Sequence, residues 1–102
     1  MKIEKPAVAG TLESSDAMVT IEPKAEGEGI TLELDSSVIH QYGRKITQVV
    51  METLARLEVT DARVHVVDKG ALDCTLKARV ECAVYRSNGQ TSDLPWGGAI
   101  RS

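Results

Sequence analysis

The chain has 102 residues, of which 42% are hydrophobic and 26% charged, and its formal net charge is -3 at pH 7. This composition predicts a single globular domain with a modest core, and the few aromatic residues and acidic balance argue against binding of nucleic acid. No apolar run reaches the length of a membrane span, and residues 1–5 lack the hydrophobic region of a signal peptide. We therefore expect a cytoplasmic protein that binds neither nucleic acid nor membranes.

Two segments of alternating apolar residues, 6–12 and 17–22, flank a polar cluster at residues 13–16 with the sequence Glu-Ser-Ser-Asp. This arrangement predicts a β-hairpin whose polar tip is exposed. A serine at such a tip is accessible to other enzymes, so that either serine of the cluster is a candidate for covalent attachment of a group. The alternative is a polar turn without a special role.

A third strand is predicted at residues 30–34, where apolar and polar residues alternate. Asp35, Ser36 and Ser37 follow, and all three are favourable N-cap residues. Apolar residues then recur at helical spacing, which predicts an amphipathic helix over residues 37–58.

A fourth strand is predicted at residues 62–67. The next segment, 72–86, is ambiguous because its apolar residues fit both the alternation of a strand and one face of a helix. Its content of Ala, Leu, Lys, Arg and Glu favours a helix. The resulting order, β-β-β-α-β-α, predicts an α+β fold in which two helices cover one face of a small, mostly antiparallel sheet of about four strands.

The sequence becomes polar after Arg86. We expect a single domain over residues 1–88 and a flexible C-terminal tail over residues 89–102. The tail contains an apolar group, Leu94-Pro95-Trp96, which could fold back on the core or bind a partner.

The cysteines and histidines do not indicate a metal site. Cys74 and Cys82 are eight residues apart, too far for a disulfide within one helix or strand, and we expect free thiols. His40 and His65 are separated in sequence from each other and from the thiols, and we expect surface residues and no bound metal.

No constellation typical of an enzyme is present in the sequence. The serines of the predicted hairpin tip have no neighbouring base to activate them, and Glu13 and Asp16 are expected to be ionised with nothing to shift their pKa. Carrying a group demands less than catalysis, namely exposure and a tether that raises the local concentration of the group at partner sites.

Three separated parts of the chain resemble one family. Residues 6–14 (Pro-Ala-Val-Ala-Gly-Thr-Leu-Glu-Ser) with Asp16 are similar to the N-terminal signature of the citrate lyase acyl carrier protein, the gamma subunit of that complex. The resemblance continues through residues 68–74 (Asp-Lys-Gly-Ala-Leu-Asp-Cys) and 78–79 (Ala-Arg), and ends at residues 94–96 (Leu-Pro-Trp). It spans nearly the whole chain.

The resemblance implies a non-catalytic carrier for citrate fermentation. The serine matching Ser14 would hold 2'-(5''-phosphoribosyl)-3'-dephospho-CoA through a phosphodiester bond, placed there by a prosthetic-group transferase. The terminal thiol would carry an acetyl group, which the alpha subunit exchanges for citryl. The beta subunit would then cleave the citryl thioester to oxaloacetate and restore the acetyl carrier.

The family pattern leaves the attachment site open between two hydroxyls. A small residue such as Gly often follows the modified serine in the family, whereas this chain has Ser15 there. The alignment of the preceding residues favours Ser14, and Ser15 is the alternative. Asp35-Ser36-Ser37 has some likeness to the phosphopantetheine site of conventional acyl carrier proteins, but helix capping accounts for it.

Two other functions are weighed against this one. The chain could be the acyl carrier of a malonate decarboxylase-type complex, or a small interaction module that carries no group. The segment at residues 68–74 and the Leu-Pro-Trp tail resemble the citrate version.

Overall fold

The computed structural model describes residues 2–36 and 39–89. The elements in chain order are β1 (Ala7–Gly10), β2 (Ala17–Pro23), β3 (Ile30–Ser36), α1 (Ile39–Arg56), β4 (Ala62–Asp68) and α2 (Asp73–Asn88). The predicted α+β class and the order β-β-β-α-β-α are confirmed. The ambiguous segment forms the helix α2.

The four strands form one mixed sheet in the order β1-β2-β4-β3. The pairs β1–β2 and β2–β4 are antiparallel, whereas β3 and β4 are parallel. The parallel pair arises because α1 carries the chain back before β4 begins, as parallel neighbours require a crossover connection. The expectation of a mostly antiparallel sheet is thus confirmed, with one parallel pair that the sequence did not indicate.

Both helices pack on one face of the sheet. Helix α2 contacts β1 and β2, α1 contacts β3, and the two helices contact each other. Alternate residues of the central strands point toward them and are fully buried: Ala17, Val19, Ile21, Ala62, Val64 and Val66. Burial of this aliphatic face is the main stabilising contribution of the fold.

The opposite face of the sheet is solvent-accessible, and His65 is exposed on it. The side chain of His40 lies outside the described residues. Both cysteines are free thiols, with Cys74 exposed and Cys82 partly buried. Among the described residues, neither helix has the length and apolar character needed to cross a bilayer.

The expected N-cap at residues 35–37 is not what the structure shows. Asp35 and Ser36 belong to β3, which pairs with β4 as far as Ser36 opposite Asp68. The Ser36 hydroxyl donates to Oδ2 of the buried Asp68 carboxylate at 2.9 Å. The capping interpretation of Asp35 and Ser36 is therefore wrong, because the parallel ladder extends further than the alternation of apolar residues; Ser37 lies outside the described residues.

The last turn of α2 includes two residues, Ser87 and Asn88, beyond the helix predicted over residues 72–86. Ser87 is buried, and its carbonyl accepts hydrogen bonds from the N–H groups of Glu4 and Lys5, both at 3.1 Å. The helix ends after Asn88, where Gly89 adopts a left-handed conformation with a φ of 80°. Residues 90–102, including Leu94-Pro95-Trp96, lie outside the described residues, and the domain division stays a prediction.

Candidate functional site

The polar cluster forms the tip of the β1–β2 hairpin. The N–H of Asp16 donates to the carbonyl of Glu13 at 3.2 Å, which closes a four-residue turn with Ser14 and Ser15 at its central positions. Residues 11–15 are all exposed. The side chain of Ser14 therefore lies at an accessible corner of the molecule, where the sequence predicted it.

The backbone of Ser15 has a φ of 65°. A positive φ at the third position of a turn characterises the type II geometry, which favours Gly. The turn geometry thus gives a physical reason why Gly would be favoured at the position after Ser14. Ser15 occupies that position in this chain at the cost of backbone strain.

The hairpin loop begins at a glycine that no other residue could replace without rearrangement. Gly10 has a φ of 93°, and a Cβ built on it would lie 1.9 Å from the carbonyl oxygen of Ala17. The two ends of the loop therefore approach each other too closely for a side chain.

An ion pair joins the loop to α2. The Arg79 guanidinium donates from Nε to Oδ1 of Asp16 at 2.9 Å and from its Nη2 to Oδ2 at 3.0 Å. This bidentate geometry is the strongest form of an Arg–carboxylate pair. Only 13% of the Asp16 side chain is exposed, so that the pair is partly shielded from water.

The Asp16 carboxylate also organises the loop locally. It accepts from the Thr11 hydroxyl at 2.6 Å and from the N–H of Ala17 at 2.7 Å. The hydrogen bonds from Arg79 and then from Thr11 hold the pKa of Asp16 well below its usual range. The expectation that nothing shifts the pKa of this carboxyl is wrong, because its main partner lies 63 residues away in sequence.

The loop is also hydrogen-bonded to the connection between β4 and α2. The N–H of Ser15 donates to the carbonyl of Lys69 at 2.8 Å, and the N–H of Lys69 donates to the carbonyl of Asp16 at 2.9 Å. The turn carrying Ser14 is therefore fixed to both neighbouring elements while the Ser14 side chain stays exposed. Neither Arg79 nor the Lys69 backbone was assigned a role from the sequence; the only signal was that both fall in the segments that carry the family resemblance.

The chain matches a family model. The model, described as malonate decarboxylase delta subunit (MdcD), covers residues 4–87. A citrate lyase acyl carrier protein of Streptococcus equi subsp. equi (strain 4047) is 56% identical over 87% of this chain and 86% of its own length. One of Vibrio cholerae serotype O1 (strain M66-2) is 58% identical over 85% of this chain and 88% of its own. The chain belongs to the citrate lyase acyl carrier protein family.

The fold of this carrier is shared with a solved structure. A chain in the crystal structure of a Pseudomonas malonate decarboxylase hetero-tetramer in complex with malonate matches with a TM-score of 0.64 and 20% identity, over 84% of the carrier and 91% of that chain. At this identity the likeness concerns the fold alone. The mixed sheet with two helices is thus an architecture found in an experimentally determined complex.

Family membership confirms the expected role of acyl carrier, and acyl carrier proteins hold their cargo on a prosthetic group. The hairpin of the carrier has the properties that attachment of such a group requires. In the part of the chain that the structure describes, Ser14 is exposed, and its hydroxyl is therefore available to an incoming enzyme. The same described residues contain no group of three side chains suited to a metal ion.

Proposed function

We propose that this carrier serves citrate lyase, with acetyl and citryl groups held as thioesters on 2'-(5''-phosphoribosyl)-3'-dephospho-CoA attached to Ser14. The complex would cleave citrate to oxaloacetate and acetate. The observation that carries the proposal is the rigid hairpin tip of a citrate lyase-type carrier, which exposes Ser14 and fixes the residues around it.

The geometry favours Ser14 over Ser15 as the attachment residue. Ser14 is the second residue of the turn and is exposed. Ser15 follows it at the position with positive φ and is hydrogen-bonded through its N–H to Lys69. Gly at this position would adopt the positive φ without strain, and it has no hydroxyl to which a group could be attached. In a relative with Gly here, only the preceding serine, which corresponds to Ser14, could carry the group.

When bound, the prosthetic group supplies a terminal thiol that holds the acyl group. The carrier's own residues present the tether and take no part in the reactions of the thioester. Asp16, Arg79 and the Lys69 backbone fix the base of the tether, so that only the group itself moves between partner sites. A fixed base and a flexible tether give the acyl group a high effective concentration at each site.

The proposal names three partners. The alpha subunit of citrate lyase would exchange acetyl for citryl, the beta subunit would cleave the citryl thioester, and a transferase would attach the prosthetic group. All three reactions would take place in the cytoplasm.

Reconstitution of the lyase with variants of the carrier tests the proposal. With citrate as substrate, Ser14→Ala should abolish turnover because the tether has no attachment point, whereas the matched variant Ser15→Ala should retain it. Both variants keep the charge of the turn, and each removes one hydroxyl.

Two outcomes would contradict the proposal. Turnover of malonate and not of citrate would assign the carrier to a malonate decarboxylase-type complex. Undiminished citrate turnover with Ser14→Ala would show that the chain needs no group on this residue: loss of turnover with Ser15→Ala would then assign the group to Ser15, and turnover with both variants would indicate an interaction module.

A further inference from the structure

A cleft of about 610 Å³ opens between α1, the end of β4 and the first turn of α2. Its walls are mainly apolar and include Ile46, Ala71 and Leu72, and the ion-paired side chains of Lys45 and Asp73 also line it. Volumes of this order are typical of sites for small organic ligands. The cleft is therefore large enough for the end of an extended organic group.

The cleft adjoins the turn that carries Ser14. The N–H of Ser15 donates to the carbonyl of Lys69, and the residues on either side of Lys69, Asp68 and Gly70, both line the cleft. The attachment turn is thus hydrogen-bonded to the residue between two members of the cleft wall. A flexible group on Ser14 has the cleft within reach without any movement of the fold.

The wall of the cleft is preformed. The buried Asp68 carboxylate accepts from the Ser36 hydroxyl at 2.9 Å and from the N–H of Ala71 at 3.0 Å. These bonds fix the connection between β4 and α2, and no rearrangement is needed to open the cleft.

Leu72, at the mouth of the cleft, has an exposed apolar side chain that the fold does not use. Its exposed fraction of 70% is the largest among the large hydrophobic residues in the described part of the chain, compared with 54% for Leu12 and 38% for Met51. Leu72 occupies the N-cap position of α2, and its side chain makes no capping hydrogen bond there. An apolar occupant of the cleft would cover this side chain.

We propose that the cleft binds the acetylated pantetheine end of the prosthetic group attached to Ser14 whenever the carrier is not engaged with a partner; this inference rests on the proposed attachment. The pantetheine end and an acetyl thioester are uncharged and suit an apolar cleft, whereas the phosphates of the group stay in water. Because tethering gives an effective concentration in the range of about 1 mM, a contact with a dissociation constant of about 1 mM already keeps the group bound half of the time.

The acyl group controls this binding. Citryl carries ionised carboxylates, which lose hydration in an apolar cleft. Lys45, the cation in the lining, is already paired with Asp73, from Nζ to Oδ2 at 3.4 Å. The acetyl form is therefore sheltered from water and foreign thiols, and conversion to citryl releases the group for cleavage.

Cys74 provides a direct probe, because this free and exposed thiol lines the cleft. Iodoacetamide alkylation of Cys74 is measured by peptide mass in the carrier without its group, the acetyl carrier and the citryl carrier, with Cys82 on the same helix as internal reference. Because the group is bound about half of the time, we expect alkylation of Cys74 to be about twofold slower in the acetyl carrier. The citryl carrier should react at the rate of the carrier without its group.

A matched pair of variants locates the contact. Leu72→Gln replaces the exposed apolar side chain at the cleft and removes no cap, and Met51→Gln makes the same kind of change on α1 away from the cleft. For each variant the loaded and unloaded carriers are compared. Leu72→Gln should lose most of the protection of Cys74, and Met51→Gln should keep it.

The results separate this inference from the proposed function. Equal alkylation rates of Cys74 in the acetyl and unloaded carriers, with the mass of the group confirmed on Ser14, would contradict binding of the group in the cleft. The proposed carrier function would remain intact. Equal protection by acetyl and citryl would overturn the control by the acyl group. Absence of the group from Ser14 in an active lyase would overturn both proposals.

Discussion

At Ser15 the carrier maintains a backbone conformation that serine adopts at a cost. A φ of 65° places this non-glycine residue in the left-handed region, and the next residue along the turn, Asp16, is fixed by its ion pair. The strain of such a conformation is about 1 kcal/mol or more, and Gly would remove it. The turn is thus held in shape by its partners and not by the preference of its own residues.

Ser15→Gly should therefore stabilise the carrier. Relief of strain outweighs the additional entropy that Gly loses on folding, and we expect the free energy of unfolding to rise by about 0.5 kcal/mol. Urea denaturation measures the change. The matched control is Ser14→Gly, at a position without positive φ, which should lower the free energy of unfolding. A larger gain from Ser14→Gly than from Ser15→Gly would contradict the assigned turn geometry.

The site residues differ in how well the sequence alone predicts their positions and contacts. Ser14 could be placed at an exposed tip because two alternating segments flank a polar cluster. The pairing of Asp16 with Arg79 could not be predicted, because no local pattern relates residues 63 positions apart. Gly10 falls inside an apparent strand, and only the fold shows that Ala17 approaches it.

At the scale of elements, the Asp16–Arg79 pair links the β1–β2 hairpin to α2. Because of this bidentate pair, the position of the turn that carries Ser14 depends on the position of α2. Its contribution depends on pH because the carboxylate must be ionised. The pKa of Asp16 is lowered in the folded state, so that the stabilisation is complete above about pH 4 and is lost as the pH falls toward the folded-state pKa.

Asp16→Asn tests this link. At neutral pH the variant should lower the free energy of unfolding by about 2 kcal/mol, since it removes hydrogen bonds to a charged group. Below about pH 4 the difference in free energy of unfolding between wild type and variant should decrease. Urea denaturation at a series of pH values measures this difference.

The control for this prediction is Glu13→Gln, which neutralises an exposed carboxylate in the same loop. It should change the free energy of unfolding little at any pH. If the difference in free energy of unfolding between wild type and Asp16→Asn stayed constant from neutral pH to pH 3, the contribution of Asp16 would not depend on its charge, contrary to this account.

The elements themselves could be derived from periodicity and composition, but not their arrangement in the sheet. Alternation of apolar residues identified all four strands, and helix-favouring residues decided the ambiguous α2. The position of β4 between β2 and β3 depends on how α1 packs across the sheet, which no local signal contains. For the same reason the continuation of β3 through Ser36 was mistaken for a helix cap.

At the scale of the whole molecule, the carrier combines a rigid base with a mobile group. The sheet and both helices surround one aliphatic core, and the hairpin tip and the cleft adjoin the same connection between β4 and α2. The protein would thus hold its cargo in two states, sheltered in the cleft and extended toward a partner. Both states depend on covalent attachment at one hydroxyl.

The mass of the tryptic peptide that covers Ser14 and Ser15, taken from an active lyase complex and fragmented to locate the adduct, tests this central claim most directly. The account predicts a single adduct with the mass of phosphoribosyl dephospho-coenzyme A, with or without its acyl group, on Ser14. An adduct on Ser15, or an unmodified peptide from a complex that still cleaves citrate, would contradict it.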